Sequence, residues 1–224
     1  MEEGKPYVSE TYNPGRDRIL ERIRAGLRAA PPSPTPAATE DAIFDPVTDP
    51  RERFLEEAKA NLMECLTAAD ATASAQNLTQ VLDSLPPGEI FVQDDPVLRR
   101  LLQAAGTPRP IRWSSQGAPG EASEATVTLS RALIAQTGSV LVTAACGGRG
   151  ASVVAPCHIV FATTDQLVPD LEAALTDAAR DGILNNHSFA CVISGSSRTA
   201  DIEKILVQGA HGPRRLVIIL QDKS

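Results

Sequence analysis

Short apolar runs alternate along the chain with longer segments in which apolar residues recur every three or four positions. The first pattern is typical of buried strands and the second of amphipathic helices. The runs predict strands at 90–92, 110–113, 125–129, 139–143, 158–163, 189–193 and 215–220. The last run, Leu216–Leu220, is apolar throughout, as expected for a strand covered on both faces. We therefore predict an α/β fold whose mostly parallel sheet is covered by helices on both faces.

Helical spacing predicts the elements between these strands. A long helix is predicted from residue 51 through Leu66, and a second one carries Leu78 to Leu85, where Pro86 and the residues after it end it. Further helices are predicted around Val97–Leu102 and over 130–136, 169–180 and 200–208.

The first 48 residues follow a different pattern. Residues 14–29 carry four aliphatic side chains at helical spacing, and arginines occupy the other faces, which predicts a short basic amphipathic helix. The segment Pro31–Pro36 cannot continue a helix. We divide the chain into a helical arm (1–30), a proline-rich linker (31–48) and one α/β domain (49–224). The arm packs either on its own domain or on another subunit, and the sequence leaves both open.

Composition and charge exclude several classes of protein. The net charge of −7 argues against nucleic acid as the main partner, because phosphate binding needs clustered basic residues. No apolar run approaches the roughly 20 residues that span a bilayer, and the first residues lack the pattern of a signal peptide, so we expect a cytoplasmic protein. The four cysteines form no Cys-x-x-Cys pair, so we expect this chain to bind no metal or iron–sulfur cluster.

The segment 191–203 is the first candidate site, because an apolar strand there runs into a small hydroxyl-rich turn and then into a predicted helix. Gly195 permits the turn, and an anion at the helix start would be bound by the hydroxyls of Ser196, Ser197 and Thr199. Arg198 adds a forked cation that suits carboxylate or phosphate. The alternative is a purely structural helix entry.

Other residues have two interpretations each. Asp201 and Glu203 either stabilise the first turn of the predicted helix or act as acids or bases. His211 is either a base or part of the helix end beside Pro213. The glycine-rich turn at 146–150 fits no nucleotide-binding pattern, so it predicts no nucleotide site.

The stretch Ser194–Glu203, followed by Gly209, His211, Gly212 and Pro213, closely resembles the C-terminal signature of the LUD (lactate-utilisation) domain family. The turn at 135–139, with Thr137, Gly138 and Ser139, resembles a second family motif, and Arg149, Pro156 and His158 resemble a third. The likeness covers roughly residues 51–221. Gln136 stands where the family usually has glutamate, and Ser196 where proline is common.

The resemblance implies the fold of the group that contains glucosamine-phosphate isomerase, ribose-phosphate isomerase and CoA transferases. It also implies a role in oxidising L-lactate to pyruvate together with iron–sulfur partner proteins, which would carry the clusters. The resemblance does not settle which chemistry the chain performs. Our candidate ligand-binding residues are Thr137, Gly138, Ser139, Gly195, Ser196, Ser197, Arg198 and Thr199. Our candidate catalytic residues are Asp201, Glu203 and His211.

Three functions therefore compete. The chain is a non-redox subunit that binds a small anionic metabolite, a free-standing enzyme or sensor for a sugar phosphate or CoA ester, or an adaptor without a ligand. Co-purification with iron–sulfur proteins favours the first, and turnover by the isolated chain favours the second.

Overall fold

The computed structural model describes residues 14–29, 46–196, 198–200, 206–208 and 212–223. The chain divides into two units, residues 1–44 and 45–224. In the first unit, helix α1 spans Pro14–Ala29, as its spacing predicts, and Ile19, Ile23 and Leu27 of its apolar stripe are exposed. Most of the predicted linker lies outside the described residues, and the boundaries at residues 30 and 48 stay predictions.

The second unit holds the other described helices and strands. The helices are α2 (Pro50–Ala60), α3 (Ala71–Asp83), α4 (Pro96–Ala105), α5 (Leu171–Arg180) and α6 (Ile183–Asn186). The strands are β1 (Glu64–Ala68), β2 (Glu89–Val92), β3 (Ile111–Trp113), β4 (Ser123–Leu129), β5 (Ala132–Ile134), β6 (Ser139–Thr143), β7 (Cys157–Thr163), β8 (Leu167–Val168), β9 (Ala190–Ile193), β10 (Arg198–Ala200), β11 (Leu206–Gln208) and β12 (Arg215–Gln221).

Six strands form the main sheet in the order β1-β12-β7-β4-β2-β3, and every neighbouring pair is parallel. Strand β12, which lies between β1 and β7, contains the apolar run 216–220, and all five of those residues are buried. Helices α3 and α4 cover one face of this sheet through a cluster that includes Leu78, Leu98 and Ile159. The predicted fold class is confirmed.

The other face of the main sheet is covered partly by a helix and partly by a second sheet. Helix α2 contributes Phe54 and Ala58, and strand β6 contributes Val140 and Val142, to a cluster with Val160 and other residues of the main sheet. The second sheet has the order β8-β5-β6-β9, in which β6 runs antiparallel to both β5 and β9. The sequence did not predict that these strands form a sheet of their own.

The predicted helix at 130–136 is wrong. Residues 132–134 form β5, and a single 3-10 turn follows over Ala135–Thr137. A short apolar run has no length over which helical and extended spacing can be told apart, so pairing with β6 decides the conformation.

The helix predicted from residue 51 through Leu66 is too long. Helix α2 ends at Ala60, because Leu62 takes a left-handed conformation, with φ of 59°, and the N–H of Met63 donates to the carbonyl oxygen of Ala58 at 2.9 Å. This is the hydrogen-bond pattern that commonly terminates helices. Cys65 therefore lies in β1, paired with β12, although its spacing continued the helical pattern.

The predicted helix at 200–208 is also wrong. Residues 198–200 and 206–208 are the antiparallel strands β10 and β11, in which Arg198 pairs with Gln208. The segment is short for a helix stabilised by its own hydrogen bonds, and Thr199 and Val207 are β-branched residues that favour extended backbone. No helix in the described part of the chain is long and apolar enough to cross a bilayer.

Candidate functional site

Three segments that are distant in sequence meet at the start of strand β6. They are the end of α2 with Asn61, the turn Thr137–Ser139, and the residues that follow β9. The two turns identified from the sequence, at 137–139 and at 195, are therefore brought together by the structure.

Gly138 allows the turn at 137–139 to lie directly against α2. Its φ is +56°, a left-handed conformation, and a Cβ at this position would lie 2.3 Å from the amide nitrogen of Ala58. Atoms cannot approach so closely, so a side chain here would force the turn away from α2. Because Gly138 has no side chain, Thr137 and Ser139 can lie close to the end of α2.

Three hydrogen-bonded hydroxyl groups, those of Thr137, Ser139 and Ser194, link the two turns, and we call this group the hydroxyl junction. The Oγ1 of Thr137 lies 2.7 Å from the Oγ of Ser139, which in turn lies 2.7 Å from the Oγ of Ser194. Ser139 is fully buried, whereas Thr137 and Ser194 are exposed, so the two outer hydroxyls lie at the surface and the middle one lies inside. Hydroxyls both donate and accept, which suits them to bind the oxygen atoms of a ligand.

Asn61 and Gly195 complete the junction. The Nδ2 of Asn61 donates to the carbonyl oxygen of Thr137 at 2.8 Å. Gly195 has a φ of +106°, and a Cβ there would lie 2.4 Å from the carbonyl oxygen of Asn61. Both glycines thus let backbone approach backbone at the same place, which is the role that only glycine fills.

Ser196, next to Gly195, is buried with incomplete hydrogen bonding among the described residues. It is 7% exposed, and its Oγ has no hydrogen-bond partner in the described part of the chain. A buried hydroxyl without a partner loses its hydration without compensation. The next residue, Ser197, lies outside the described residues.

The remaining candidates are placed only in part. Arg198 and Thr199 have backbone positions in β10, whereas Asp201, Glu203 and His211 lie outside the described residues. The site also differs from its predicted setting, because β9 belongs to the second sheet and leads into a strand instead of a helix. The predicted support from a helix N-terminus is therefore wrong.

Sequence reasoning missed Asn61 and Ser194. Asn61 was missed because the helix predicted from residue 51 through Leu66 includes it. Ser194 begins the family stretch but was not among the candidate residues, although its hydroxyl makes the contact between the two turns. Its position directly before a glycine, at the end of a strand, is the signal that could have marked it.

His158 belongs to a different part of the molecule. Its ring is buried in β7, and the Nε2 lies 2.8 Å from the Oγ1 of Thr128. Burial lowers its pKa to about 4, so the ring is neutral at physiological pH. Arg149, from the same predicted motif, is exposed and stacks over the ring of Phe189, 5.8 Å from its centroid.

The four cysteines form no disulfide in the structure. Burial raises the pKa of Cys65, Cys146 and Cys157 to about 11, which disfavours the thiolate form that metals bind. Cys157 and His158 are consecutive in a strand and point to opposite faces of the sheet. Among the described residues no group of three or more His, Cys, Asp or Glu side chains is placed to hold a metal ion.

A second polar cluster lies at the carboxyl ends of β2 and β3, the edge where open parallel sheets bind ligands. The Nε of Arg99 donates to the Oδ1 of Asp94 at 2.6 Å, and the Ser115 hydroxyl donates to the Oδ2. These bonds lower the pKa of Asp94. Arg99 also stacks on Trp113, 4.2 Å from the ring centroid. Since both carboxylate oxygens are bonded, the cluster ties the two strand ends together.

Comparison with known proteins identifies the class. The family model of the LUD domain matches residues 114–221, which include β4 to β12 and both turns of the hydroxyl junction. Residues 114–221 therefore match the LUD domain family, which confirms the family predicted from the motifs.

Several relatives are named lactate utilization proteins. Over 136 residues the chain is 29% identical to "Lactate utilization protein C" of Deinococcus radiodurans, covering 54% of this chain and 62% of that protein. Over 175 residues it is 26% identical to the protein of that name from Bacillus subtilis, covering 69% and 71%. It is 32% identical over 105 residues to "Lactate utilization protein C 1" of Bacillus mycoides, covering 46% and 45%.

A solved structure shows the same fold. The crystal structure of a DUF162 family protein from Deinococcus radiodurans superposes with a TM-score of 0.59 and covers 77% of this chain and 96% of that one. The two sequences are 17% identical, so the likeness concerns the fold alone.

Proposed function

We propose that this chain is a non-redox LUD subunit in L-lactate utilisation, which acts with iron–sulfur partner proteins in the oxidation of L-lactate to pyruvate. The relatives named lactate utilization protein C support the process. The observation that carries a binding role is the hydroxyl junction, where Thr137, Ser139 and Ser194 meet beside the family signature. The proposed ligand is a small anionic metabolite bound along residues 195–203.

The chemistry of the junction favours binding over covalent catalysis. Among the described residues, the hydrogen bonds of its three hydroxyls join them to one another and to a backbone carbonyl, and none involves a histidine or a carboxylate. A serine nucleophile needs such a base. The proposal therefore gives the hydroxyls the role of orienting the ligand and assigns the ligand's charge to Arg198.

The complex is tested by purification from the native host. A tagged chain should retain iron–sulfur proteins, and the assembly should oxidise L-lactate with an artificial electron acceptor. A matched preparation with Ser194→Val should keep the partners and lose activity, because it removes the link between the two turns. An isolated chain that turns over a sugar phosphate or a CoA ester would instead support a free-standing enzyme.

Arg198→Ala is expected to weaken binding of an anion by about 1.5–3 kcal/mol, or roughly 10- to 150-fold, the range for a hydrogen bond to a charged group. Calorimetric titration with L-lactate, phosphate and coenzyme A measures the loss. The control is Arg100→Ala, since Arg100 is exposed on α4, which packs on the opposite face of the main sheet. If Arg198 is instead paired with Asp201 or Glu203 inside the protein, the variant loses ~3–5 kcal/mol of stability and no anion binding is seen for the wild type.

The purified chain is expected to be colourless and free of iron. Three of its four cysteines are buried to a degree that disfavours the thiolate, and clusters of the Cys₄ type need four thiolates together. Iron analysis and a visible spectrum after anaerobic purification provide the measurement. A visible absorption band with stoichiometric iron would contradict the proposal that the clusters reside on partner proteins.

A further inference from the structure

A row of side chains crosses one face of the main sheet at the level of His158. In the register of the parallel strands, Phe91 of β2 pairs with Thr126 of β4, Thr126 with His158 of β7, and His158 with Leu216 of β12. Residues paired in this way project to the same face. Two polar side chains thus lie side by side between two large apolar ones.

The polar pair is buried but incompletely bonded. Thr126 is 0% exposed and His158 is 1% exposed. The Nε2 of His158 has Thr128 as its partner, whereas its Nδ1 and the Oγ1 of Thr126 have no partner in the parts of the chain that the structure describes. Leaving two polar atoms of paired residues buried and unbonded costs more free energy than a hydrogen bond between protein groups gains. Two such atoms on neighbouring strands point to a common partner.

The surroundings define the chemistry of that partner. On one side lie Phe91, Cys146 and Ala151, which form an apolar cluster, and the 3-10 turn Arg149–Ser152 packs on β4 above it. On the other side Leu216 belongs to the core shared with α2 and β6. The low pKa of His158 has burial as its cause, without a contribution from any charged group in the described part of the chain. A charged ligand would be buried here without a counter-ion, which is energetically costly.

We propose that His158 Nδ1 and Thr126 Oγ1 together bind one neutral hydroxyl oxygen, supplied by a water molecule or by the alcohol group of a small organic compound. A hydroxyl both donates and accepts, so it satisfies the two atoms whichever nitrogen of the ring carries the proton. Neighbouring strands lie about 4.8 Å apart, a span that one oxygen bridges with two hydrogen bonds of about 2.8 Å. This site is separate from the hydroxyl junction and does not depend on the proposed function.

The test is the ¹⁵N NMR spectrum of the histidine rings in the full chain. The chain has three histidines, and His158→Gln assigns the signal of interest by removing it. The Nδ1 signal should have the chemical shift of a hydrogen-bonded nitrogen. Thr126→Val should move that shift, whereas Thr128→Val should move mainly the Nε2 signal. A Nδ1 shift typical of an unbonded nitrogen that Thr126→Val leaves unchanged would overturn the proposal.

Thermal unfolding gives an independent measurement. Thr126→Val keeps the shape of the side chain and should lower the melting temperature by about 2–6 °C if the hydroxyl is bonded, because the occupant then loses a partner. If the hydroxyl is unbonded, its removal should leave the melting temperature unchanged or raise it, which would count against the site.

Two further measurements identify the source of the oxygen. A long-lived internal water gives an ¹⁷O relaxation dispersion that should disappear in Thr126→Val. A bound organic alcohol adds mass to the chain in native mass spectrometry and is released on denaturation. Wild-type protein that shows neither signal would overturn the proposal.

Discussion

Gly138→Ala is expected to lower the free energy of unfolding by about 2–5 kcal/mol. The left-handed φ of +56° costs an alanine roughly 1–2 kcal/mol. The added Cβ would meet backbone atoms of Glu57 and Ala58 at 2.3–2.5 Å, and overpacking of this kind adds about 1–3 kcal/mol. Urea denaturation of the wild type and the variant measures the difference.

Gly106→Ala is the matched control. Gly106 ends helix α4 with a φ of +62°, nearly the same backbone conformation, but its Cβ would meet nothing within 4 Å. We expect Gly106→Ala to lower the free energy of unfolding by about 1–2 kcal/mol, the cost of the left-handed backbone conformation alone. Equal losses in the two variants would show that the turn at 137–139 does not lie against α2 as described. The same substitution at 138 should also abolish ligand binding at the hydroxyl junction in any protein that remains folded.

Acidification from about pH 7 to pH 4.5 is expected to lower the free energy of unfolding of the wild type by about 2 kcal/mol through His158 alone. Burial holds the pKa of this ring at about 4 in the folded protein, against an ordinary value of 6.5. Between these two pH values the unfolded chain binds a proton that the folded protein does not, so stability rises with pH. The contribution is complete above about pH 6.5 and falls as the pH drops toward 4.

The comparison that isolates this effect uses His158→Gln. The variant is less stable at neutral pH, because it disturbs the bond to Thr128, but its stability should fall less steeply on acidification. Unfolding free energies at several pH values, subtracted pairwise, give the histidine contribution. Parallel curves for the two proteins would mean that His158 titrates with the same pKa in the folded and unfolded states, which contradicts its burial.

Five of the six strands of the main sheet could be predicted closely, whereas β1 was predicted as part of a helix. The predicted bounds of strands β7 and β12 agree with the observed ones within about one residue. Their continuous aliphatic runs are stable only in the interior of a sheet that is covered on both faces. The errors fall where a short segment satisfies two patterns. The helix predicted over 200–208 has apolar residues at helical spacing, yet strand pairing across the hairpin decides its conformation.

The candidate site was predictable as two turns but not as one place. Glycine followed by a hydroxyl marks Gly138–Ser139 and Gly195–Ser196, since a left-handed backbone and small polar side chains are local properties. Their meeting depends on the antiparallel pairing of β6 with β9, a contact between segments about 50 residues apart. Asn61 enters the site because of a left-handed leucine, and non-glycine residues give no sequence signal for that conformation.

The position of β12 has a consequence for the order in which the chain can fold during synthesis. It is the last of the described strands, yet it lies between β1 and β7, and its Arg215 forms an ion pair with Glu64, 151 positions earlier. A nascent chain that has emerged only through β7 has no partner for β1 and leaves one side of β7 unpaired. Such strand edges readily pair with other chains. The sheet therefore stays open to wrong pairing until nearly all of these 224 residues have left the ribosome.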